Sequence, residues 1–260
     1  MVVQESIVKL IEYKKNIYSE NGEDGIIQEL LRRLDSVLSE TKWCVEFGAW
    51  NGSYASNTFN LVKSGWHSVY IEGDETRYLD LLDTAAEYPR ITPLCAFVSH
   101  DETSEDNLDS LLTGTSIPSD FDLLSIDIDS FDLEVWRVFT GRPKVVVIEI
   151  NSSVKPGIIQ WHDGKKFFGN SFSATLMCAR NKGYVLVCHT GNMIFVREDL
   201  SKHVNMDEMD LLYPESLFIS DWIAESQAGS FLFKLGKFLF PKNVKNWIKK
   251  HFLMKRDQLD

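Results

Sequence analysis

The sequence predicts an α/β fold: a doubly wound, mainly parallel sheet of seven strands with an antiparallel edge hairpin. Three observations predict it. Short apolar runs alternate with segments of helical periodicity from Trp43 to Lys182. The run Lys144–Ile150 is almost continuously β-branched, as in a strand buried on both faces. Two last strand-like runs flank Thr190-Gly191-Asn192, a hairpin turn signal.

Residues 5–15 and 23–38 read as helices. The second opens on Asn21 and Asp24 as cap candidates, with acids in its first turn, and continues with Ile26, Ile27, Leu30, Leu31 and Leu34 at helical spacing. Trp43–Phe47 is the first strand and runs into Gly48-Ala49-Trp50-Asn51-Gly52. Residues 55–64 are helical, His67–Glu72 is the second strand, and 75–87 the next helix. Ile91–Val98, Leu123–Asp127 and Lys144–Ile150 are strands three to five. Ser171–Lys182 is a helix stopped by Gly183, and Tyr184–Cys188 and Met193–Val196 form the hairpin.

Of 260 residues, 44% are hydrophobic and 25% charged, which excludes a disordered or fibrous chain. The net charge of −11 argues against a nucleic-acid partner. Cys44, Cys95, Cys178 and Cys188 form no CxxC pair and read as buried free thiols in a reducing compartment. The N-terminal segment lacks a signal-peptide pattern, and no apolar run reaches the roughly 18 residues of a membrane span. A cytoplasmic protein is expected.

In a doubly wound sheet, ligands sit beyond the carboxyl ends of the strands. Glu46 precedes the turn Gly48-Ala49-Trp50-Asn51-Gly52, and Glu72 ends the next strand 20 residues after Gly52. An acid there can accept both hydroxyls of a ribose. Ser99 and His100, after the third strand, fall where adenine contacts are expected. NAD would call for G-x-G-x-x-G, which is absent. S-adenosylmethionine carries a sulfonium, an ammonium and no phosphate, so acids around the glycines suit it better.

Four segments together resemble the successive motifs of FkbM-type S-adenosylmethionine-dependent methyltransferases. They are Tyr18-Ser19-Glu20-Asn21-Gly22-Glu23-Asp24-Gly25, Val45–Gly52, Leu124-Ser125-Ile126-Asp127-Ile128-Asp129 and Val147-Ile148-Glu149-Ile150-Asn151. The blocks Gly169-Asn170-Ser171…Lys182-Gly183-Tyr184 and Gly191-Asn192…Phe195-Val196-Arg197 are similar to later family segments. The resemblance covers residues 17–200, with departures at Glu20, where the family pattern has Gln, and Ser130, where it has Gly. It implies a Rossmann-like catalytic domain over 41–200, N-terminal helices over 1–40 closing the cofactor site through Asn21, Glu23 and Asp24, and an extension over 201–260. Family members mostly methylate hydroxyls of natural products and saccharides. The resemblance therefore implies an O-methyltransferase acting on a small polar or saccharide-type acceptor, with cofactor contacts from Glu46, Gly48, Asn51, Gly52, Glu72, Ser99, His100 and Asp127.

Asp127 and Asp129 lie two apart at a strand end, and Glu149 and Asn151 repeat the spacing on the next strand. If the two strands are neighbours, these oxygens converge, with Asp132 close behind. Mg2+ or Mn2+ takes such ligands and would lower the pKa of a substrate hydroxyl. In the alternative, one carboxylate caps a helix, one pairs with Arg137 or Arg142, and one binds the cofactor ammonium. Without metal, His162 is the first choice of general base, ahead of His189 and His100.

Residues 231–256 hold eight Lys and Arg and no Asp or Glu, interleaved with Phe, Leu, Ile and Trp. They read as basic amphipathic helices that contact an anionic membrane surface, or else as an arm packed on the body or on a homodimer partner. Two rival functions remain at this level: an NAD-dependent oxidoreductase, and a non-catalytic membrane-associated nucleoside-binding protein.

Overall fold

Five buried runs set the centre of the sheet: β1 (Trp43–Phe47), β2 (His67–Glu72), β4 (Leu123–Ile126), β5 (Val145–Glu149) and β7 (Asn192–Arg197). β3 (Ile91–Cys95) and β6 (Tyr184–His189) are its edges. The computed structural model describes residues 7–166 and 168–223. The chain divides into two compact units, Met1–Ile219 and Ser220–Asp260, and the sheet belongs to the first.

The strand order is β3-β2-β1-β4-β5-β7-β6. The first five strands pair in parallel, and β7 runs antiparallel to both β5 and β6. This is a Rossmann-like, doubly wound sheet with an antiparallel edge hairpin. The strand order reverses between β1 and β4, and the crevice beyond the carboxyl ends of the strands at such a switch point is where doubly wound sheets bind ligands. β4 and β5 are neighbours in the register Ile126↔Ile148, so Asp127 comes alongside Glu149.

Helices cover both faces. α1 (Glu23–Arg33) and α2 (Phe59–Lys63) lie on one face, where Ile26, Leu30 and Leu34 pack against Leu123, Val145 and Val147. α3 (Glu75–Glu87) adds Leu81 to a cluster with Phe59 and Tyr70. α4 (Leu108–Thr113), α5 (Asp132–Val138) and α6 (Phe172–Asn181) cover the other face through Leu108, Trp136 and Phe172. Val145 to Ile148 are fully buried, each burial worth roughly 1.5–3 kcal/mol. A short α7 (Glu208–Leu212) follows the sheet. No helix among the described residues is long and apolar enough to cross a membrane.

Several boundaries differ from the sequence expectation, each for a local reason. Among the described residues of the segment 5–15, the 3-10 turn Leu10–Tyr13 forms in place of the expected helix. Beyond it the backbone of Lys15 bonds Gly22 and Gly25, tying the strap to the start of α1. The N-cap of α1 is Gly22 at φ +94°, not Asn21 or Asp24, and the helix ends at Arg33. α2 starts only at Phe59, because residues 56–58 bind Glu46. β3 ends at Cys95, and Cys95 is exposed while the other three cysteines are buried. α4 and α5 were not anticipated. The basic helices expected within 231–256 lie outside the described residues.

Candidate functional site

The turn after β1 is built around a close approach. Gly48 has φ +76°, and a Cβ there would lie 1.7 Å from the Asp127 carbonyl oxygen, so only glycine lets this turn press on the end of β4. The N–H groups of Gly48 and Ala49 both donate to the Ile71 carbonyl. Glu72, at the end of β2, then holds the turn. Its Oε2 accepts the Trp50 N–H at 2.7 Å and its Oε1 the Asp74 N–H at 2.8 Å. Each oxygen keeps a lone pair for a ligand donor. Trp50 is thereby fixed at φ +49°, a left-handed conformation rare for a large side chain.

Opposite this turn, Asp127, Asp129 and Glu149 each place a carboxylate oxygen within 4.8 Å of the others. Asp129 is exposed, while Asp127 and Glu149 are half-buried. Burial, then the charges of Asp132 and Asp129, push Asp127 well above the usual carboxylate range. Burial and the charge of Asp127 do the same to Glu149. Both carboxyls are raised, so the group holds on to protons where no positive charge is supplied. Three such groups cannot all ionise so close together without a cation. The cleft therefore seeks positive charge.

Asp132 is not a fourth member. Its two oxygens accept the N–H groups of Ile128 and Ser130, closing the turn that puts Asp129 at φ +58°. Burial raises its carboxyl to about 6 against these bonds. Asn151 also turns away. Its Oδ1 accepts from Ser153 and its Nδ2 donates to the Phe168 carbonyl, so it shapes the 168–169 loop.

Several residues expected to touch the cofactor are engaged with the protein instead. Glu46 is buried and accepts from Ser56 Oγ, the Asn57 and Thr58 N–H groups and Thr58 Oγ1, which spends both oxygens under α2. Asn51 Oδ1 caps the Ser53 and Tyr54 N–H groups, and Gly52 packs on Leu81. Glu23 binds Thr190, Asn192 and the Asn21 N–H at the β6–β7 turn. Asp24 Oδ2 gathers the N–H groups of Ile17, Tyr18 and Ser19. Asp24 Oδ1 is buried without a partner. The signal for Asn21, Glu23 and Asp24 is thus that of a clasp binding the N-terminal strap to the sheet.

The histidines sort by tautomer. His162 is buried, and its Nδ1 accepts the Gly169 N–H at 3.0 Å, which leaves the neutral ring's proton on Nε2. His189 Nδ1 accepts the Ile219 N–H at 2.9 Å. Its Nε2 then donates to Ser152 Oγ at 2.9 Å, and Ser152 donates onward to the Gly191 carbonyl. Burial lowers His189 to about 4. In these tautomers His162 carries its proton on Nε2, and both ring nitrogens of His189 are already bonded inside the fold, a poor arrangement for a general base. His100 is exposed and stacks on Phe131 at 4.5 Å, and Phe131 meets His162 at 4.6 Å. Ser99 takes part in the 99–107 loop, donating its N–H to the Asp106 carbonyl.

Sequence reasoning missed this aromatic row, because its members come from three separate loops. It also missed Phe97, which lies on Gly73 beside Glu72 with 76% of its surface exposed. The sequence places Phe97 inside the expected strand Ile91–Val98, and it stands free because β3 ends at Cys95. Arg77, stacked on Trp50, gave no signal, since an Arg in the first turn of a helix is ordinary.

No protein-family model and no curated protein matches the sequence. Among solved structures, TrmK of M. capricolum in complex with S-adenosylhomocysteine is similar, with TM-score 0.45 and 13% identity over 83% of this chain and 89% of that one. The N-terminal domain of EvdMO1 in the presence of S-adenosylhomocysteine and D-fucose has TM-score 0.42 and 8% identity over 67% and 82%. TYW2 of M. jannaschii in complex with AdoMet has TM-score 0.38 and 16% identity over 70% and 79%.

Proposed function

We propose that this chain is an S-adenosylmethionine-dependent O-methyltransferase of the FkbM type, acting on a hydroxyl of a small polar or saccharide-type acceptor. One observation carries the reading: at the switch point between β1 and β4, a glycine turn held by Glu72 faces three carboxylates that need a cation. A sulfonium and an ammonium meet that need. A pyrophosphate would be repelled by it, which disfavours the oxidoreductase.

The cofactor, when bound, supplies a methyl group on positively charged sulfur. Glu72 offers its remaining lone pairs to ribose-type hydroxyls, and Phe97 on Gly73 offers a flat apolar face beside them. Asp129, the exposed member, is the group an acceptor reaches first. With His162 and His189 protonated at Nε2, the hydroxyl proton passes to an Asp129 carboxylate oxygen rather than to an imidazole. Where Asp127, Asp129 and Glu149 hold Mg2+ or Mn2+ instead, the ion would supply Lewis acidity to an acceptor hydroxyl and Asp129 would be its ligand rather than a base. The row His100–Phe131–His162 forms an apolar wall for the acceptor. The basic, aromatic composition of residues 231–256 supports peripheral contact with an anionic inner membrane face, which liposome co-sedimentation of the full chain would read.

Calorimetry with S-adenosylhomocysteine and with NADH tests the cofactor. Binding of the first alone, followed by methyl transfer from labelled S-adenosylmethionine to a hydroxylated acceptor, is the expected result. Binding of NADH alone would reverse the reading, and cofactor binding with no turnover on any acceptor would favour a non-catalytic binding protein.

A further inference from the structure

Arg77 stands in the first turn of α3, half-buried, with its guanidinium carbon 3.9 Å from the centre of the Trp50 ring. At that distance the guanidinium lies against the indole and uses one face. Its N–H donors radiate in the guanidinium plane, so the contact leaves them unspent. The platform is fixed. Trp50 donates its backbone N–H to Glu72, is held at φ +49° and packs against Tyr54 at 5.1 Å. Among the described residues, no carboxylate forms an ion pair with the guanidinium and no acceptor takes its hydrogen bonds. Asp129 across the crevice feels its charge without being bonded to it. A pre-oriented cation with an idle fork thus stands at the mouth of a crevice otherwise lined by Glu72, Asp127, Asp129 and Glu149.

An idle guanidinium beside so many acids needs a reason. The charge of Arg77 reaches Asp129, yet the contact it makes is the stack on Trp50, which leaves the in-plane N–H donors available to take a planar oxyanion in two parallel hydrogen bonds. We infer that Arg77, held on Trp50, receives an oxyanion carried by a small molecule bound in the crevice. Two small molecules can bring one: a cofactor through its amino-acid carboxylate, or an acceptor through a phosphate or carboxylate. The inference rests on the proposed S-adenosylmethionine site and assigns it a selectivity for acidic ligands that the acidic cluster alone would oppose.

The test uses the full chain and calorimetry. Arg77→Met keeps the side chain's length and its packing on Trp50 but removes every donor. Arg77→Lys keeps the charge and removes the fork. S-adenosylhomocysteine is compared with 5′-methylthioadenosine, which shares the nucleoside and lacks the carboxylate. If the oxyanion is the cofactor's, Arg77→Met weakens the first ligand relative to the second by roughly tenfold, the effect of losing a charge-assisted hydrogen-bond pair. If it is the acceptor's, that ratio holds. Glucose 1-phosphate, added to protein saturated with S-adenosylhomocysteine, then loses roughly tenfold in affinity against a glucose control. Arg77→Lys shows a smaller loss in the same arm, and thermal unfolding of both variants against wild type excludes a folding defect. Unchanged ratios in both arms overturn the inference while leaving the cofactor site standing. Failure of the wild-type chain to bind S-adenosylhomocysteine at all overturns the site and the inference with it.

Discussion

Replacing His189 by Gln tests the tautomer argument that removes imidazoles from the chemistry. The ring is 1% exposed, stacked on Phe218 at 4.9 Å with an interplanar angle of 18°, and lowered to about 4 by burial, with Lys14 adding a smaller push in the same direction. In the unfolded chain the ring titrates near 6.5. Between these values the unfolded state binds the extra proton and the folded state does not, so stability rises with pH across that window. The contribution is fully present above about pH 6.5 and is lost as pH falls toward 4, a total of about 3 kcal/mol at 1.36 kcal/mol per unit. His189→Gln cannot titrate. It can still donate to Ser152 but leaves the Ile219 N–H without its acceptor, a cost of about 1–3 kcal/mol at pH 7. Urea unfolding of both proteins at pH 7, 5.5 and 4 should therefore show a gap at neutral pH that closes or reverses near pH 4. Carboxylates titrate in both proteins and cancel in the difference. A gap that stays constant with pH would refute the reasoning, because the ring would then be free to protonate in the fold.

Three further outcomes follow from the site. Glu72→Ala leaves the Trp50 and Asp74 N–H groups without their acceptor and should weaken S-adenosylhomocysteine by about 1.5–3 kcal/mol, and calorimetry showing unchanged affinity would remove Glu72 from the site. Gly48→Ala forces a left-handed alanine, worth about 1–2 kcal/mol alone, and drives its Cβ into the Asp127 carbonyl, so both melting temperature and cofactor affinity should fall. Chelator should abolish turnover and Mg2+ or Mn2+ restore it, with Asp127→Asn losing Mn2+ binding in direct titration; full activity after verified metal removal would return the carboxylates to a proton-accepting role alone.

How much of this the sequence carried depends on the kind of signal. β1, β2 and α3 have the bounds their periodicity predicts, because buried runs between turn residues leave little freedom. The matching spacing of Asp127 with Asp129 and of Glu149 with Asn151 was legible, but that β4 and β5 are neighbours, and with it the meeting of Asp127 and Glu149, comes from the sheet pairing. The strap over 5–15 was misread as a helix, since its conformation is set by long-range bonds to Gly22 and Gly25 that periodicity cannot show. Glu46 illustrates the limit at the site. An acid before a glycine turn looks the same in sequence whether it faces a ligand or, as here, the hydroxyls of Ser56 and Thr58 on a loop ten residues on. Which acids keep lone pairs for a ligand is decided by the hydrogen bonds each one has already spent.

That accounting gives the crevice its logic. Glu72 and Asp132 match each other in role: each accepts one backbone N–H on each carboxylate oxygen, and each fixes a turn containing a residue in a left-handed conformation, Trp50 on one side and Asp129 on the other. Such conformations cost of order 1–3 kcal/mol and persist only where neighbouring bonds over-determine them. Here the bonds are charge-assisted and sit at the switch point of the sheet, so the strain is confined to the two residues that present the Trp50–Arg77 platform and the exposed carboxylate. Trp50 could relax only by giving up its bond to Glu72, and Asp129 only by opening the Asp132 turn. The two walls of the crevice are therefore set before any ligand arrives, and a small molecule that brings a positive centre to Asp127, Asp129 and Glu149 meets groups already in place.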